Sequence, residues 1–264
     1  MTNYEKINEN IYRLTIPYKD IYTTVYIIKT SAGILLFDTA SYDEDIPGYI
    51  EPFLNEMGVT GQNLKYIFIS HNHKDHAGGL KALCQKYPEV CIISCCPKLK
   101  ESYEGVYSFV SPGDNDTVLE VLKVVTIPGH TKDAAAIFDT RTKTLISGDC
   151  LQLYGIYGSG DWGANISLIP EHVCAVNKLK SMDIQTILTA HDYHPCGHIY
   201  RGKDEVSYAL DCCIEPLKKI KELILNNPLL DDEQVCNIYN STDNPPTLGK
   251  HVVSSVREAI KKDF

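Results

Sequence analysis

The stretch that most constrains this chain is Ser70-His71-Asn72-His73-Lys74-Asp75-His76-Ala77-Gly78-Gly79, which reads His-x-His-x-Asp-His. It begins where an apolar run, Tyr66-Ile67-Phe68-Ile69, gives way at Ser70 to a loop and then to a small-residue helix start. The metal-competent side chains of His71, His73, Asp75 and His76 fall too densely to be packing residues. On extended backbone His71 and His73 point the same way, because a strand repeats every two residues. Where the chain turns into a helix, Asp75 and His76 swing onto an adjacent direction. One such segment can therefore feed two neighbouring metal ions, provided the rest of the chain supplies the missing ligands.

Three later stretches offer them. Ile127-Pro128-Gly129-His130-Thr131 sets a histidine in a tight turn, Ile146-Ser147-Gly148-Asp149-Cys150 an aspartate, and Ile187-Leu188-Thr189-Ala190-His191-Asp192 a second histidine. Each polar residue is expected directly after an apolar strand, where a site at a sheet edge collects its groups. Neutral imidazoles with carboxylates, one of them able to bridge, suit two borderline-soft divalent ions.

The series His71-x-His73-x-Asp75-His76, then His130, Asp149 and His191, resembles the metallo-β-lactamase superfamily. That resemblance implies an α+β fold, a four-layer αββα sandwich with the metals in a cleft at one edge of two sheets. Carried over position by position, His71, His73 and His130 would hold the first ion. Asp75, His76 and His191 would hold the second, and Asp149 would bridge. Zinc is the expected ion, with iron or manganese as alternatives. Asp38, in the turn Phe37-Asp38-Thr39, either braces the ligand loops through hydrogen bonds or caps a turn. His194 and His198 lie near enough to compete for the role of His191. His172 and His251 fall on predicted helices and read as structural or surface residues.

The order of elements fits such a fold. Residues 10–16, 22–28 and 33–38 read as a β-meander, and Ile50, Phe53, Leu54 and Met57 fall at helical spacing before Gly58. Strands are expected over 64–70, 90–94, 119–127, 134–139, 144–147 and 186–190, with helices over 80–87 and 170–181. Residues 97–120 are mixed. From about residue 201 the pattern becomes helical: 204–225, interrupted at Pro216, then 231–239 and 250–262. The expected organisation is a metallo-β-lactamase-like domain over 1–200 with a helical C-terminal extension, 201–264, packed on it.

The composition narrows the function. The chain has 264 residues, 44% hydrophobic and 22% charged, with a formal net charge of -9. A nucleic-acid partner would want a basic footprint, so none is expected. No run approaches the length of a membrane span and the start has no secretion pattern, so a cytoplasmic protein is expected, with its ten cysteines as reduced, buried thiols. Nothing in the sequence specifies an oligomeric state.

Two ions sharing a water imply a metal-bridging hydroxide that attacks the carbonyl of a small-molecule ester, thioester or lactone, with Asp75 as the catalytic residue that orients it and passes its proton. The full ligand set is similar to glyoxalase II-type thioesterases, acyl-homoserine-lactone lactonases and the tRNA-processing nucleases, the last a poor fit to an acidic chain. Flavodiiron oxygen reductases have a glutamate where His73 stands, and many true β-lactamases lack the counterpart of His76 or of Asp149. An iron-dependent, oxygen-using enzyme is the runner-up, followed by a β-lactam or phosphodiester hydrolase. A metal-binding regulatory module is the non-enzymatic alternative. The aromatic loop holding Tyr154, Tyr157 and Trp162 either lines the substrate cleft together with Tyr193 or packs on the tail helices.

Overall fold

The computed structural model describes residues 4–156, 165–193, 197–242, 247–262 and 264. The chain divides into two compact units, Met1–Thr126 with Ala135–Arg141, and Ile127–Ala134 with Thr142–Phe264.

The first unit is built on a seven-stranded sheet whose spatial order follows the chain: β1 (Tyr4–Lys6), β2 (Ile11–Tyr18), β3 (Ile21–Thr30), β4 (Gly33–Phe37), β5 (Leu64–Ile69), β6 (Cys91–Ser94) and β7 (Ser108–Val110). The first four strands form the antiparallel meander, rich in β-branched and aromatic residues. From β4 onward the strands run parallel, joined by helical crossovers. These are α1 (Glu51–Glu56), then α2 (Lys74–Ala77) with α3 (Leu80–Lys86), then α4 (Pro97–Tyr103). Leu14, Val25, Ile27, Leu36, Ile67 and Ile92 pack with Phe53, Leu54, Leu80 and Leu83 in one apolar cluster. Ile11, Tyr26, Ile28, Phe37 and Phe68, on the other side of the pleat, are equally buried, so the central strands are covered on both faces. The unit also holds an antiparallel trio, β8 (Thr117–Val118), β9 (Leu122–Thr126) and β10 (Ala135–Asp139).

The second unit contains β11 (Thr144–Ile146), parallel to β12 (Thr186–Tyr193), which pairs antiparallel with β13 (Gly197–Arg201). Its helices are α5 (Ile169–Lys180), α6 (Gly202–Cys212), α7 (Glu215–Asn226), α8 (Asp232–Asn240) and α9 (Lys250–Ile260). Ile166 and Ile169 join Leu217, Ile220, Val235, Val252, Val253 and Val256 in one core, so the tail helices pack on the segment that opens α5. Asp231 starts α8 with a full capping box, its side chain accepting from the Gln234 amide at 2.8 Å.

Several expectations are corrected here. The 119–127 strand begins only at Leu122, because Leu119 and Glu120 adopt positive φ in the turn after β8. The mixed region contains α4, β7 and β8. The interruption expected within 204–225 is present but falls just before Pro216, which lies in the first turn of the second helix, where a missing N–H is harmless. Strand β12 runs three residues past Ala190, so His191 lies inside it rather than beyond its end. Every described cysteine is a free thiol, but Cys174 is exposed on the outer face of α5, and Cys91 and Cys95 are half-buried. No described helix is long and apolar enough to cross a membrane.

Candidate metal centre

In the first unit, parallel pairing brings two strand exits together. Phe37 of β4 is in register with Phe68 of β5, and the Asp38 amide bonds to the Phe68 carbonyl at 2.8 Å. Asp38 thus lies beside the loop Ser70–His76, at the carboxyl ends of adjacent parallel strands, where open sheets collect their ligands. Its Oδ1 accepts the Ser70 amide at 2.8 Å, and its Oδ2 accepts the Ser70 hydroxyl at 2.9 Å and lies 2.7 Å from His76 Nδ1. Asp38 (φ 62°) and Ala40 (φ 60°) both adopt left-handed backbone, strain of the kind that collects at functional turns. Burial pushes the Asp38 carboxyl up, against the neighbouring His76 and the Ser70 hydrogen bonds, which lower it.

The rings of His71 and His73 lie 4.6 Å apart and those of His71 and His76 4.3 Å apart. The period-two argument thus brings the first two rings side by side. The four-residue helix α2 then turns Asp75 and His76 inward, His76 being fully buried and the Asp75 side chain 13% exposed. Thr23 of β3 donates its hydroxyl to the Asp75 carbonyl at 2.9 Å. Because a carboxylate can only accept, His76 Nδ1 carries the proton that faces Asp38 and Nε2 is the nitrogen turned to the site. That Nε2 lies 3.3 Å from Asp75 Oδ2. Two lone-pair atoms so placed call for a cation between them, either a metal ion or a proton on the ring.

Gly78 follows directly. A Cβ there would lie 2.0 Å from the Ser41 carbonyl oxygen, so only glycine lets the end of α2 press against the turn that follows Asp38.

The second unit repeats this logic. Ile146 of β11 is in register with Leu188 of β12, and the Ser147 amide bonds to the Leu188 carbonyl at 2.9 Å. The 3₁₀ turn Gly148–Cys150 then sets Asp149 beside His191. His191 Nε2 lies 3.0 Å from Asp149 Oδ1, and His130 Nε2 lies 3.6 Å from Asp149 Oδ2. Ligands bonded to one ion at about 2.0–2.2 Å in a tetrahedron are spaced by about 3.4 Å, so these separations fit donors sharing metals. His130 Nδ1 is 2.9 Å from the Asn165 carbonyl, which holds that nitrogen as the donor and leaves Nε2 to ligate. The Gly129 carbonyl of the same turn accepts the Ser167 and Leu168 amides at 3.0 and 3.1 Å. His172 of α5 packs so closely that a Cβ on Gly129 would meet its ring at 2.6 Å. Each unit therefore carries a histidine–aspartate donor group whose chemistry fits divalent metal ions.

A model of the metallo-beta-lactamase superfamily matches residues 18–93. The beta-lactamase-like protein 2 homolog of Caenorhabditis elegans is 25% identical over 248 residues, which cover 91% of this chain and 78% of that protein. Among solved structures, the DIM-1 metallo-beta-lactamase superposes with a TM-score of 0.64 at 17% identity, covering 81% of this chain and 98% of that one. A flavo di-iron protein from Thermotoga maritima gives a TM-score of 0.63 at 19% identity, covering 81% of this chain and 62% of that one.

In its matched segment and in its fold, the chain is similar to the metallo-β-lactamase superfamily. Its fold is the α+β sandwich of that superfamily, here with C-terminal helices.

The aromatic residues are placed unevenly. Tyr154 lies beneath the Lys219 ammonium of α7, 5.6 Å from its ring centroid, so it contacts a tail helix. Tyr193 is wholly buried and donates its hydroxyl to Asp149 Oδ1 at 3.1 Å. Tyr157 and Trp162 lie outside the described residues, as does His194. His198 sits in β13, half-exposed, 4.0 Å from Asp192. His251 is exposed, whereas His172 is fully buried. Sequence reasoning missed the link from Tyr193 to Asp149. The signal was present, because Tyr193 follows His191 by one strand period, but it depended on extending β12 past Ala190.

Proposed function

We propose that the two donor groups form one dinuclear centre and that this chain hydrolyses a small ester, thioester or lactone. The observation that carries the reading is Asp149, whose two oxygens lie beside two different imidazoles, as a carboxylate bridging two ions requires. In this reading His71, His73 and His130 hold one ion, Asp75, His76 and His191 the other, and Asp149 both. A nitrogen-rich donor set with carboxylates favours zinc.

When bound, such a pair lowers the pKa of a shared water from about 15.7 towards neutrality and polarises a substrate carbonyl. The chain's own residues do the rest. Asp75, with its backbone pinned by Thr23 and its side chain still partly exposed, orients the attacking water and takes its proton. Asp38 fixes the tautomer and ring plane of His76, and burial of His71, His76 and His191 limits competing water. His73, the exposed donor, marks the side open to substrate. The free thiols fit a reducing compartment such as the cytoplasm, and the acidic surface fits a small-molecule substrate better than a nucleic acid.

Metal analysis of protein purified without added metal, followed by thioester, lactone, β-lactam and phosphodiester substrates, tests this reading. Two equivalents of metal, with carbonyl-ester, thioester or lactone turnover abolished by a chelator and restored by zinc, are expected. Iron with substrate-dependent oxygen uptake, or turnover of the phosphodiester alone, would overturn it.

A further inference from the structure

Tyr193 and Gln152 are both sealed from solvent, and both reach Asp149. The Gln152 amide nitrogen donates to the Asp149 backbone carbonyl at 3.1 Å and lies 3.3 Å from the Tyr193 hydroxyl. A flipped amide would set two oxygens against each other at that carbonyl, so the nitrogen is fixed as the donor. The Tyr193 hydroxyl therefore accepts from Gln152, and its single proton points at Asp149 Oδ1, 3.1 Å away. The result is a one-way chain from amide to hydroxyl to carboxylate.

A carboxylate on its own rotates freely about its last torsion, which is broad and two-fold. Asp149 is 4% exposed, so no solvent shell holds it. The Tyr193 hydroxyl bonds the oxygen of this carboxylate that faces His191, while Oδ2 faces His130. Strand β12 delivers this geometry. Its pairing with β13 shifts register between Leu188 and Tyr193, and across that irregularity His191 and Tyr193 present their rings 6.2 Å apart.

We propose that Tyr193 is a positioning residue for metal binding: its hydroxyl, aimed by Gln152, holds Asp149 in the orientation that reaches both ions. The inference rests on Asp149 being the bridging ligand of the proposed centre. It assigns Tyr193 to the metal site rather than to the substrate surface.

The test is zinc titration of the metal-free full chain against a chromophoric chelator, comparing wild type with Tyr193→Phe, and thermal unfolding of both without metal. Tyr193→Phe keeps the ring and removes one hydroxyl. The expected result is an unchanged metal-free Tm and a loss of roughly 10- to 100-fold in one or both zinc affinities, the range typical of groups that orient a metal ligand. If wild type takes up two zinc ions and Tyr193→Phe binds both equally well, the role of Tyr193 is overturned and the dinuclear reading stands. If wild type takes up no zinc, both fall together. Should Tyr193→Phe not fold, Gln152→Leu leaves the ring and hydroxyl in place and removes the donor that aims it, together with that donor's bond to the Asp149 carbonyl. Weaker zinc binding in that variant supports the proposal, and wild-type binding overturns it.

Discussion

Asp38 Oδ2 lies 2.7 Å from His76 Nδ1, and the same carboxylate accepts both the backbone amide and the hydroxyl of Ser70. One buried side chain thus fixes the start of the ligand loop and the tautomer of its last histidine. Asp38→Asn keeps the shape, and asparagine tolerates the left-handed backbone found here. It nevertheless places an N–H where either Ser70 or His76 already offers one. The variant is expected to fold and to bind zinc roughly 10- to 100-fold more weakly than wild type in a chelator competition. Unchanged affinity would remove Asp38 from the metal site.

Asp75 should behave differently. Its proposed task is to orient a nucleophile and accept a proton, contributions that appear in the chemical step rather than in substrate binding. Asp75→Asn is expected to lower kcat by about 10²-fold or more while leaving KM within a few-fold. Because Asp75 is also a proposed ligand, metal content must be measured on the same sample. A variant that keeps its metals and its kcat but loses affinity for substrate would refute the catalytic role.

Much of this was legible in the residues themselves. Strands β4, β5 and β11 are short apolar runs ending in polar turns, and that punctuation marked Asp38, His71 and Asp149 and, approximately, His191 of β12. What escaped were features that depend on register. Strand β12 continues past Ala190 through His191, Asp192 and Tyr193, which are no apolar run, and its partner β13 carries no strong strand signal. Strands β7 and β8 are only three and two residues long and take their conformation from neighbours rather than from their own propensity. The role of Tyr193 became visible only once the strand carrying it was placed beside β11.

Gly78 gives a test of packing alone. Its backbone is ordinary helix (φ -62°, ψ -37°), so alanine meets no torsional strain there. The obstacle is the Ser41 carbonyl oxygen, 2.0 Å from where the Cβ would sit, together with the Lys74 carbonyl at 2.5 Å. Both are backbone atoms and cannot rotate away. Gly78→Ala is expected to destabilise by about 2 kcal/mol or more, through displacement of the turn after Asp38, and to lower Tm by roughly 5 °C. Gly48→Ala, where nothing lies within 4 Å of the new atom, is the matched control and should change little.

His172 ties stability to pH. It is fully buried on α5, and neither ring nitrogen makes a well-formed hydrogen bond among the described residues. Burial pushes it down to about 4; the nearby Cys213 backbone opposes that shift and the charge of His130 adds to it. In the unfolded chain the ring titrates near its ordinary value of about 6.5. Between these two values the unfolded state binds more protons than the folded one, so stability falls as the pH is lowered through that window. The loss attributable to His172 is of order 3 kcal/mol, absent above about pH 6.5 and complete near pH 4. His172→Gln does not titrate there. Denaturant unfolding of the metal-free proteins at a series of pH values should give a shallower decline for the variant across this range, with the two curves running parallel above it. Metal-free samples are needed because protonation of the ligand histidines would otherwise release metal in the same window and hide the difference. Parallel curves throughout would mean that the buried ring takes up its proton in the folded state as easily as in water.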